Sequence, residues 1–229
     1  MNADVRPIVV VGTGKLAQEL LTRLPELLHE PVKAWQDSPP DQPALVIHAG
    51  SGRELINVLP YCQRSGSPLV ELATGTELER HQPTAFPLIV CPNTNILMLK
   101  FMNMISTSGH LFKNHPISLT ESHQASKTST PGTAVSMAQS LGLSEDAITS
   151  IRDPEIQAQQ LGIEAKALGR HAFHRIEIGD PLTRIVLETR VIGEAPYAAG
   201  VAAIVTAIRA QGLDKRRYQI NEFIEKGWL

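Results

Sequence analysis

The chain has 229 residues, of which 42% are hydrophobic and 19% charged, with a net charge of −2. That length holds one large or two modest domains, and the balance is ordinary for a globular protein. The near-neutral charge and the 4% aromatic content argue against nucleic acid or an acidic membrane surface as a partner.

No apolar stretch approaches the ~20 residues of a membrane span. The first residues show no basic region followed by an apolar run and a cleavage site. Cys62 and Cys91 have no metal-like spacing and form no disulfide framework. These features predict a protein of the reduced cytoplasm.

Val5 to Val11 is a nearly continuous apolar run, as in a parallel strand buried on both faces. Leu16, Leu20, Leu21, Leu24 and Leu28 then recur at helical spacing until Pro31. Val32 to Trp35 reads as a second strand, Ser38 to Asp41 as a loop and Ala44 to His48 as a third strand. Glu54 to Arg64 reads as a helix. Leu69 to Ala73 and Pro87 to Cys91 complete five strands, and Ile96 to Ile105 is an apolar helix. Alternating strands and helices with glycine turns predict a Rossmann-like, doubly wound parallel sheet.

From Pro116 the pattern changes. Ile117, Leu119, Glu121 and His123 alternate with Ser118, Thr120 and Ser122, which predicts a strand with one polar face. Gly132 to Leu141 reads as a helix. Ile163 to Leu168, His171 to Ile178 and Arg184 to Val191 read as strands, with a turn at Gly179-Asp180-Pro181. This is an α+β pattern with an antiparallel or mixed sheet. Ala198 to Ala210 is helical and is expected to return to the first domain. The expected division is residues 1–94 with 196–229, and residues 95–195.

Gly12-Thr13-Gly14-Lys15-Leu16-Ala17 matches G-x-G-x-x-A between a strand and a helix. The first glycine allows the tight turn, and the second lets a pyrophosphate approach the backbone. The small last residue lets helix and strand pack closely. A plain tight turn is the competing reading. Asp37, with Gln36 beside it, lies where an acid would meet the adenosine ribose, or is an ordinary loop carboxylate. No Arg adjoins it to grip a 2′-phosphate, which favours NADH over NADPH. Ala73-Thr74-Gly75 and Pro92-Asn93-Thr94 end the fourth and fifth strands, where ligands bind in open α/β sheets. Ordinary turn chemistry would also use these residues.

Glu121 to Ala134 carries the densest chemistry. His123 and Lys127 lie four residues apart, ahead of a Pro131-Gly132-Thr133 turn that opens a helix. Free N–H groups at such a helix start attract anions, and a neighbouring His or Lys can hold an anionic substrate and give it a proton. A solvated loop with a helix cap is the plainer alternative. His171 and His174 fall on opposite faces of one strand and make poor joint metal ligands, so no metal is expected. Arg175 and Arg190 fit surface charges or ion pairs better than a carboxylate site. The combination points to a nicotinamide-dependent reductase of a small carboxylate.

The chain resembles the dihydrodipicolinate reductase family along most of its length. The glycine turn, Ala73-Thr74-Gly75, Cys91-Pro92-Asn93-Thr94-Asn95, the segment from Glu121 to Ala134, Tyr197-Ala198-Ala199-Gly200 and the stretch Tyr218 to Phe223 carry the resemblance. The last would match the family's terminal strand. Against the family pattern E-[AS]-H-H-x-x-K-x-D-x-P-S-G-T-A, His123 and Lys127 take the catalytic positions. Gly132 and Thr133 take the places that hold a substrate carboxylate. Gln124 stands where the family has a second, substrate-contacting histidine, Ser129 replaces an acid, and the serine after Pro131 is missing. The glycine fingerprint is one residue short, and Leu72-Ala73-Thr74-Gly75 stands for Gly-Thr-Thr-Gly. The chain is also shorter between the second and third strands and before Ile163.

The resemblance implies that NADH or NADPH reduces a cyclic imine dicarboxylate, 4-hydroxy-tetrahydrodipicolinate, to tetrahydrodipicolinate in lysine and diaminopimelate biosynthesis. It implies a substrate-binding and oligomerisation domain at 95–195 and a homotetramer. Two alternatives stand beside it: reduction of a related imine or carbonyl acid, and a nucleotide-binding module without the reaction.

Overall fold

The computed structural model describes residues 6–35, 42–80, 82, 85–192 and 197–229. In chain order the elements are β1 (Ile8–Val11), α1 (Lys15–Leu28), β2 (Val32–Ala34), β3 (Leu45–His48), α2 (Leu55–Ser65), β4 (Leu69–Glu71), β5 (Leu88–Val90) and α3 (Ile96–Ser108). They continue with β6 (Ile117–His123), α4 (Gly132–Ser140), β7 (Ile148–Ile151), α5 (Pro154–Gln159), β8 (His171–Gly179), β9 (Arg184–Ile192), α6 (Tyr197–Ala210), β10 (Arg217–Gln219) and α7 (Ile220–Glu225). The chain divides into two compact units, Met1–Leu99 with Pro196–Leu229, and Lys100–Ala195.

The first unit is a six-stranded sheet in the order β10-β5-β4-β3-β1-β2. Every pairing in it is parallel. Successive strand side chains point to opposite faces, and both faces are covered. Ile8, Val10, Leu45, Ile47, Val70 and Ile89 pack with Leu20 and Leu24 of α1 and with Val201, Ile204, Val205 and Ile208 of α6. Val9, Val11, Val46, Leu69, Leu88 and Val90 pack with Leu55, Val58 and Tyr61 of α2 and with Phe86. Fully burying one such side chain contributes ~1.5–3 kcal/mol, which explains why these strands read as unbroken apolar runs. The doubly wound α/β fold read from the sequence is the fold observed.

The second unit is a four-stranded sheet ordered β7-β6-β8-β9. The β6–β7 pairing is parallel, and β6–β8 and β8–β9 are antiparallel, so the sheet is mixed. Three readings change. Residues 163–168 are not a strand; Ala165–Ala167 form a single 3₁₀ turn. Ile163 and Ala167, four residues apart, dip into a small core with Leu161 and Phe173, while Ala165 between them is exposed. The fourth strand of this sheet is instead β7, whose two central residues are exposed. The stretch from Tyr218 to Phe223 is only partly strand, because α7 begins at Ile220 under a capping box between Gln219 and Glu222.

Within the first unit, α6 lies tight against the loop after β5. A Cβ built on Gly200 would fall 1.6 Å from the Thr94 carbonyl oxygen. No side chain fits without moving α6. Gly200→Ala is expected to cost about 1–3 kcal/mol, as overpacking does, and to lower the melting temperature by several degrees on the order of 2–4 °C per kcal/mol. A calorimetric scan of the variant beside the wild type checks this.

Candidate active site

The glycine turn of the first unit is built for close approach. Gly12 sits at φ +119°, a conformation that L side chains rarely adopt, and a Cβ there would lie 2.6 Å from the Ala49 carbonyl oxygen. A Cβ on Gly14 would meet nothing within 4 Å, so space lies open above the turn. Gly14 is the N-cap of α1, and no side chain caps that helix. Uncapped N–H groups facing open space suit a pyrophosphate. The residues present therefore fit a dinucleotide at this place. Thr13, Gly14 and Lys15 are exposed, whereas Leu16 is half-buried against the core.

The loops after β4 and β5 belong to the same unit. Thr74 and Gly75 are exposed and Ala73 is half-buried; the Ala73 N–H donates to Glu71 at 2.7 Å. Pro92 is exposed. Asn93 closes its own loop by accepting the Asn95 N–H at 2.9 Å. Thr94 is buried, and its carbonyl faces α6. Asp37 and Gln36 lie outside the described residues.

The second unit gathers the ionisable groups. Glu121, the fifth residue of β6, has a fully buried side chain. Its Oε2 accepts from His123 Nδ1 at 2.8 Å. Its Oε1 accepts from Arg152 Nη2 at 2.5 Å and from the Ser150 hydroxyl. Ser150 reaches it because β7 pairs with β6 so that Ser150 lies opposite Glu121. Burial alone would raise the Glu121 carboxyl. The hydrogen bonds from His123, Arg152 and Ser150 and the Arg152 charge outweigh it and hold the group at about 2. An ionised carboxylate only accepts, so the His123 proton sits on Nδ1 and Nε2 is left uncommitted among the described residues.

Lys127 belongs to the same construction. Arg152, bound to Glu121, also donates from Nε to the Lys127 carbonyl oxygen at 2.9 Å. Gln157 donates to the His123 carbonyl oxygen at 2.7 Å. Among the described residues no carboxylate pairs with the Lys127 ammonium. One guanidinium thus ties the backbone at Lys127 to the carboxylate that orients His123. Gln124 is half-buried beside them, and its carbonyl accepts the Lys127 N–H at 2.9 Å. Gly132 and Thr133 open α4, which has no side-chain cap.

His171 and His174 lie on opposite faces of β8, as their spacing requires. His174 stands opposite Glu121, its ring centroid 5.8 Å from that of His123. Burial first, and then the neighbouring His123 charge, push His174 down to about 4. His171 bonds Ser122 at 2.9 Å and the Ala167 carbonyl at 3.2 Å. Arg175 and Arg190 both pair with Glu188, as expected of surface ion pairs. Burial raises the Cys62 and Cys91 thiols to about 12. Sequence reasoning missed Arg152, Ser150 and Gln157, and treated Glu121 only as part of a motif. The Asp153-Pro154 pair after Arg152 was a usable signal, since Asp153 caps α5 and Pro154 opens it.

Fold and site together define a Rossmann-like α/β protein with a separate mixed-sheet unit that carries a His–Lys–carboxylate cluster. No protein-family model matches the chain. It is 33% identical over 127 residues to 4-hydroxy-tetrahydrodipicolinate reductase 1, chloroplastic, of Arabidopsis thaliana, covering 51% of this chain and 36% of that one. A probable rice counterpart is 31% identical over 126 residues, with 51% and 37% covered. The matched stretch thus spans little more than a third of these curated relatives. In structure, the chain superposes on a dipicolinate-bound dihydrodipicolinate reductase from Paenisporosarcina sp. TG-14 with a TM-score of 0.62, 16% identity, and 95% and 99% coverage. It also superposes on the C. glutamicum DAP dehydrogenase in complex with DAP, at a TM-score of 0.52, 8% identity, and 95% and 93% coverage. The chain is thus similar in sequence to 4-hydroxy-tetrahydrodipicolinate reductases over half its length, and similar in fold to a dihydrodipicolinate reductase.

The Glu121 carboxyl lies below its ordinary value of 4.5 in the folded chain. A lowered carboxyl stabilises the fold fully above the unfolded value, and the contribution disappears as pH falls through the folded value. From 4.5 down to about 2 this is on the order of 3 kcal/mol. Urea unfolding of wild type and Glu121→Gln from neutrality downward should show the largest difference above pH 4.5, shrinking toward pH 2. A gap that stays constant with pH would count against an ionised carboxylate.

Proposed function

We propose that this chain is an NAD(P)H-dependent oxidoreductase that reduces a cyclic imine dicarboxylate, with 4-hydroxy-tetrahydrodipicolinate as substrate, in lysine and diaminopimelate biosynthesis. The observation that carries the reading is the Glu121–Arg152 construction, which orients His123 and ties down the backbone at Lys127 ahead of the uncapped start of α4. The named relatives support it.

In this reading the first unit binds NADH or NADPH. Gly12, Thr13, Gly14, Lys15 and Leu16 form the pyrophosphate turn, and Asp37 meets the ribose. Ala73, Thr74, Gly75, Pro92, Asn93 and Thr94 line the nicotinamide pocket, Thr94 through its backbone. Loss of water from the 4-hydroxy substrate leaves a conjugated cyclic imine, and the reduced nicotinamide, when bound, would supply a hydride to the ring carbon that carried the hydroxyl. The electron pair displaced from the double bond builds negative charge on the substrate, and one proton neutralises it. His123, held by Glu121, and Lys127 stabilise that charge and deliver the proton. The N–H groups of Gly132 and Thr133 hold a carboxylate, and Gln124 hydrogen-bonds the substrate. Orientation of this kind is a large share of such rate enhancements. The second unit also carries the tetramer contacts. Exposed Ile185, Val186 and Ile192 on the edge strand β9 support self-association. The buried, free thiols fit a reducing compartment such as the cytoplasm.

A related imine or carbonyl acid is the second reading. Gln124 favours it, because an amide hydrogen-bonds without carrying charge, and the turn after Pro131 is one serine shorter than in the family it resembles.

Two measurements test the proposal. Titration with NADH and NADPH, followed by cofactor fluorescence, should give binding. Gly14→Asp should abolish it by setting a negative side chain in the open space over the turn. Lack of binding by the wild type at millimolar cofactor would end the reading.

In steady-state assays with the imine, His123→Ala and Lys127→Ala should each lose ~10²–10⁴-fold in turnover, Lys127→Ala while melting close to wild type and His123→Ala while melting lower, because it takes a donor from the buried Glu121. Near-full activity in both variants would remove the catalytic assignment. If the wild type is inert, Gln124→His with a serine inserted after Pro131 should restore activity to a diverged reductase. Continued silence would favour the second reading or a binding role.

A further inference from the structure

The sheet of the first unit changes direction between β1 and β3. The chain runs from β1 outward to β2, then crosses back to lay β3 on the other side of β1. Ligands of open α/β sheets enter the crevice at the carboxyl ends of the strands at such a switch. The last residue of β3 is His48, which lies opposite Val11 at the end of β1. An imidazole therefore stands at the floor of the crevice, and it is fully buried.

Glu71 ends β4 and lies opposite His48 in the next pairing, equally buried. The Nδ1 atom of His48 is 2.9 and 2.8 Å from its two carboxylate oxygens. Oxygen Oε1 also accepts the Ala73 N–H, two residues past the end of β4. On the other edge of the ring, Nε2 is buried and makes no hydrogen bond. It faces Glu54 Oε2 at 3.6 Å. That oxygen holds the loop after β3, accepting the Ser51 N–H at 3.1 Å and facing the Ser51 hydroxyl at 3.3 Å. One ring thus spans the carboxylates that govern both loops.

The same loops leave no slack against the glycine turn. A Cβ on Gly50 would come within 2.8 Å of the Glu54 carboxyl and 2.9 Å of His48 Nε2. Ala49, next in the chain after His48, is the residue whose carbonyl a Cβ on Gly12 would strike. A buried polar pair among Val46, Ile47, Leu69 and Val70 is costly to desolvate, and aliphatic side chains would fill such a site more cheaply. Its placement at the switch, with each edge of the ring addressed to a different loop, gives it a use.

We infer that His48, acting through Glu71 and Glu54, is a positioning residue that fixes the loops after β3 and β4 against the Gly12 turn and so sets the shape of the dinucleotide crevice. The inference rests on the reading of the first unit as a cofactor site. The test is cofactor affinity, measured by NADH and NADPH fluorescence well below the melting temperature of each variant. His48→Phe removes both ring nitrogens and should weaken binding about tenfold or more, since small displacements of positioning groups are costly. Glu54→Ala should weaken it by a smaller factor, and Glu54→Gln, which keeps an acceptor for Ser51, should recover most of the loss. His48→Asn retains a donor near the Nδ1 position and should fall between wild type and His48→Phe.

Variants that melt lower but bind with wild-type affinity would overturn the inference and leave the pair a purely structural element. Should His48→Phe fail to fold, the part-exposed Glu54→Ala and Glu54→Gln pair decides alone: equal affinities in both and in wild type overturn it. Failure of the wild type to bind either cofactor brings down the cofactor reading and this inference with it. Binding by wild type with no effect in the variants removes only the inference.

Discussion

A carboxylate cut off from water must find its donors in the protein, and the second unit is organised around one that does. Glu121 takes hydrogen bonds from an imidazole, a hydroxyl and a guanidinium. Each donor comes from a different position: the same strand, the neighbouring strand and the residue just after that strand. Losing any of them would leave a buried charge short of a partner, a larger penalty than the bond itself contributes. The register of β6 on β7 and the exit of the chain at Arg152 are therefore coupled to the orientation of His123. Chemistry and strand pairing share one set of hydrogen bonds.

The first unit solves a comparable problem at the ends of its parallel strands. Apolar side chains fill both faces of the sheet almost without interruption. Polarity returns at the carboxyl ends, where His48 and Glu71 are the last residues of neighbouring strands. Beyond them the backbone turns away in glycine-rich loops, and N–H groups become available at the start of α1. A sheet buried on both faces has few other places where polar groups can reach a ligand.

The legibility of this architecture follows the same physics. The long apolar strands and the helices with apolar stripes were readable, because burial on two faces or one leaves a plain period. The glycine turn was readable because Gly12 sits in a close contact that a Cβ would break, between an apolar strand and an apolar-striped helix. The edge strand β7 was not, since Ile148-Thr149-Ser150-Ile151 has exposed residues in its middle and shows no alternation. The stretch around Ala165 misled, because Ile163 and Ala167 are buried four residues apart while Ala165, in the 3₁₀ turn between them, is exposed. Of the cluster around Glu121, the residues close together in sequence were visible, and Arg152, Ser150 and Gln157 were not. Their contribution depends on pairing across 25 to 34 positions, which no local pattern encodes. His48 and Glu71 were hidden inside strands that otherwise read as core, though a charged residue closing an apolar run was itself a sign.

The division of the chain has a consequence for the order of synthesis. The mixed-sheet unit is one continuous stretch, Lys100–Ala195, whereas the parallel-sheet unit is assembled from segments on either side of it. Its edge strand β10 pairs with β5, and α6 covers the face lined by Ile8, Val10 and Ile47. Until those last segments leave the ribosome, one face of the nascent parallel sheet has α1 but lacks α6, and β5 lacks its outer neighbour. The unit that begins first thus finishes last. During that interval its strands expose apolar surface and an open edge, the two features that invite association with other chains.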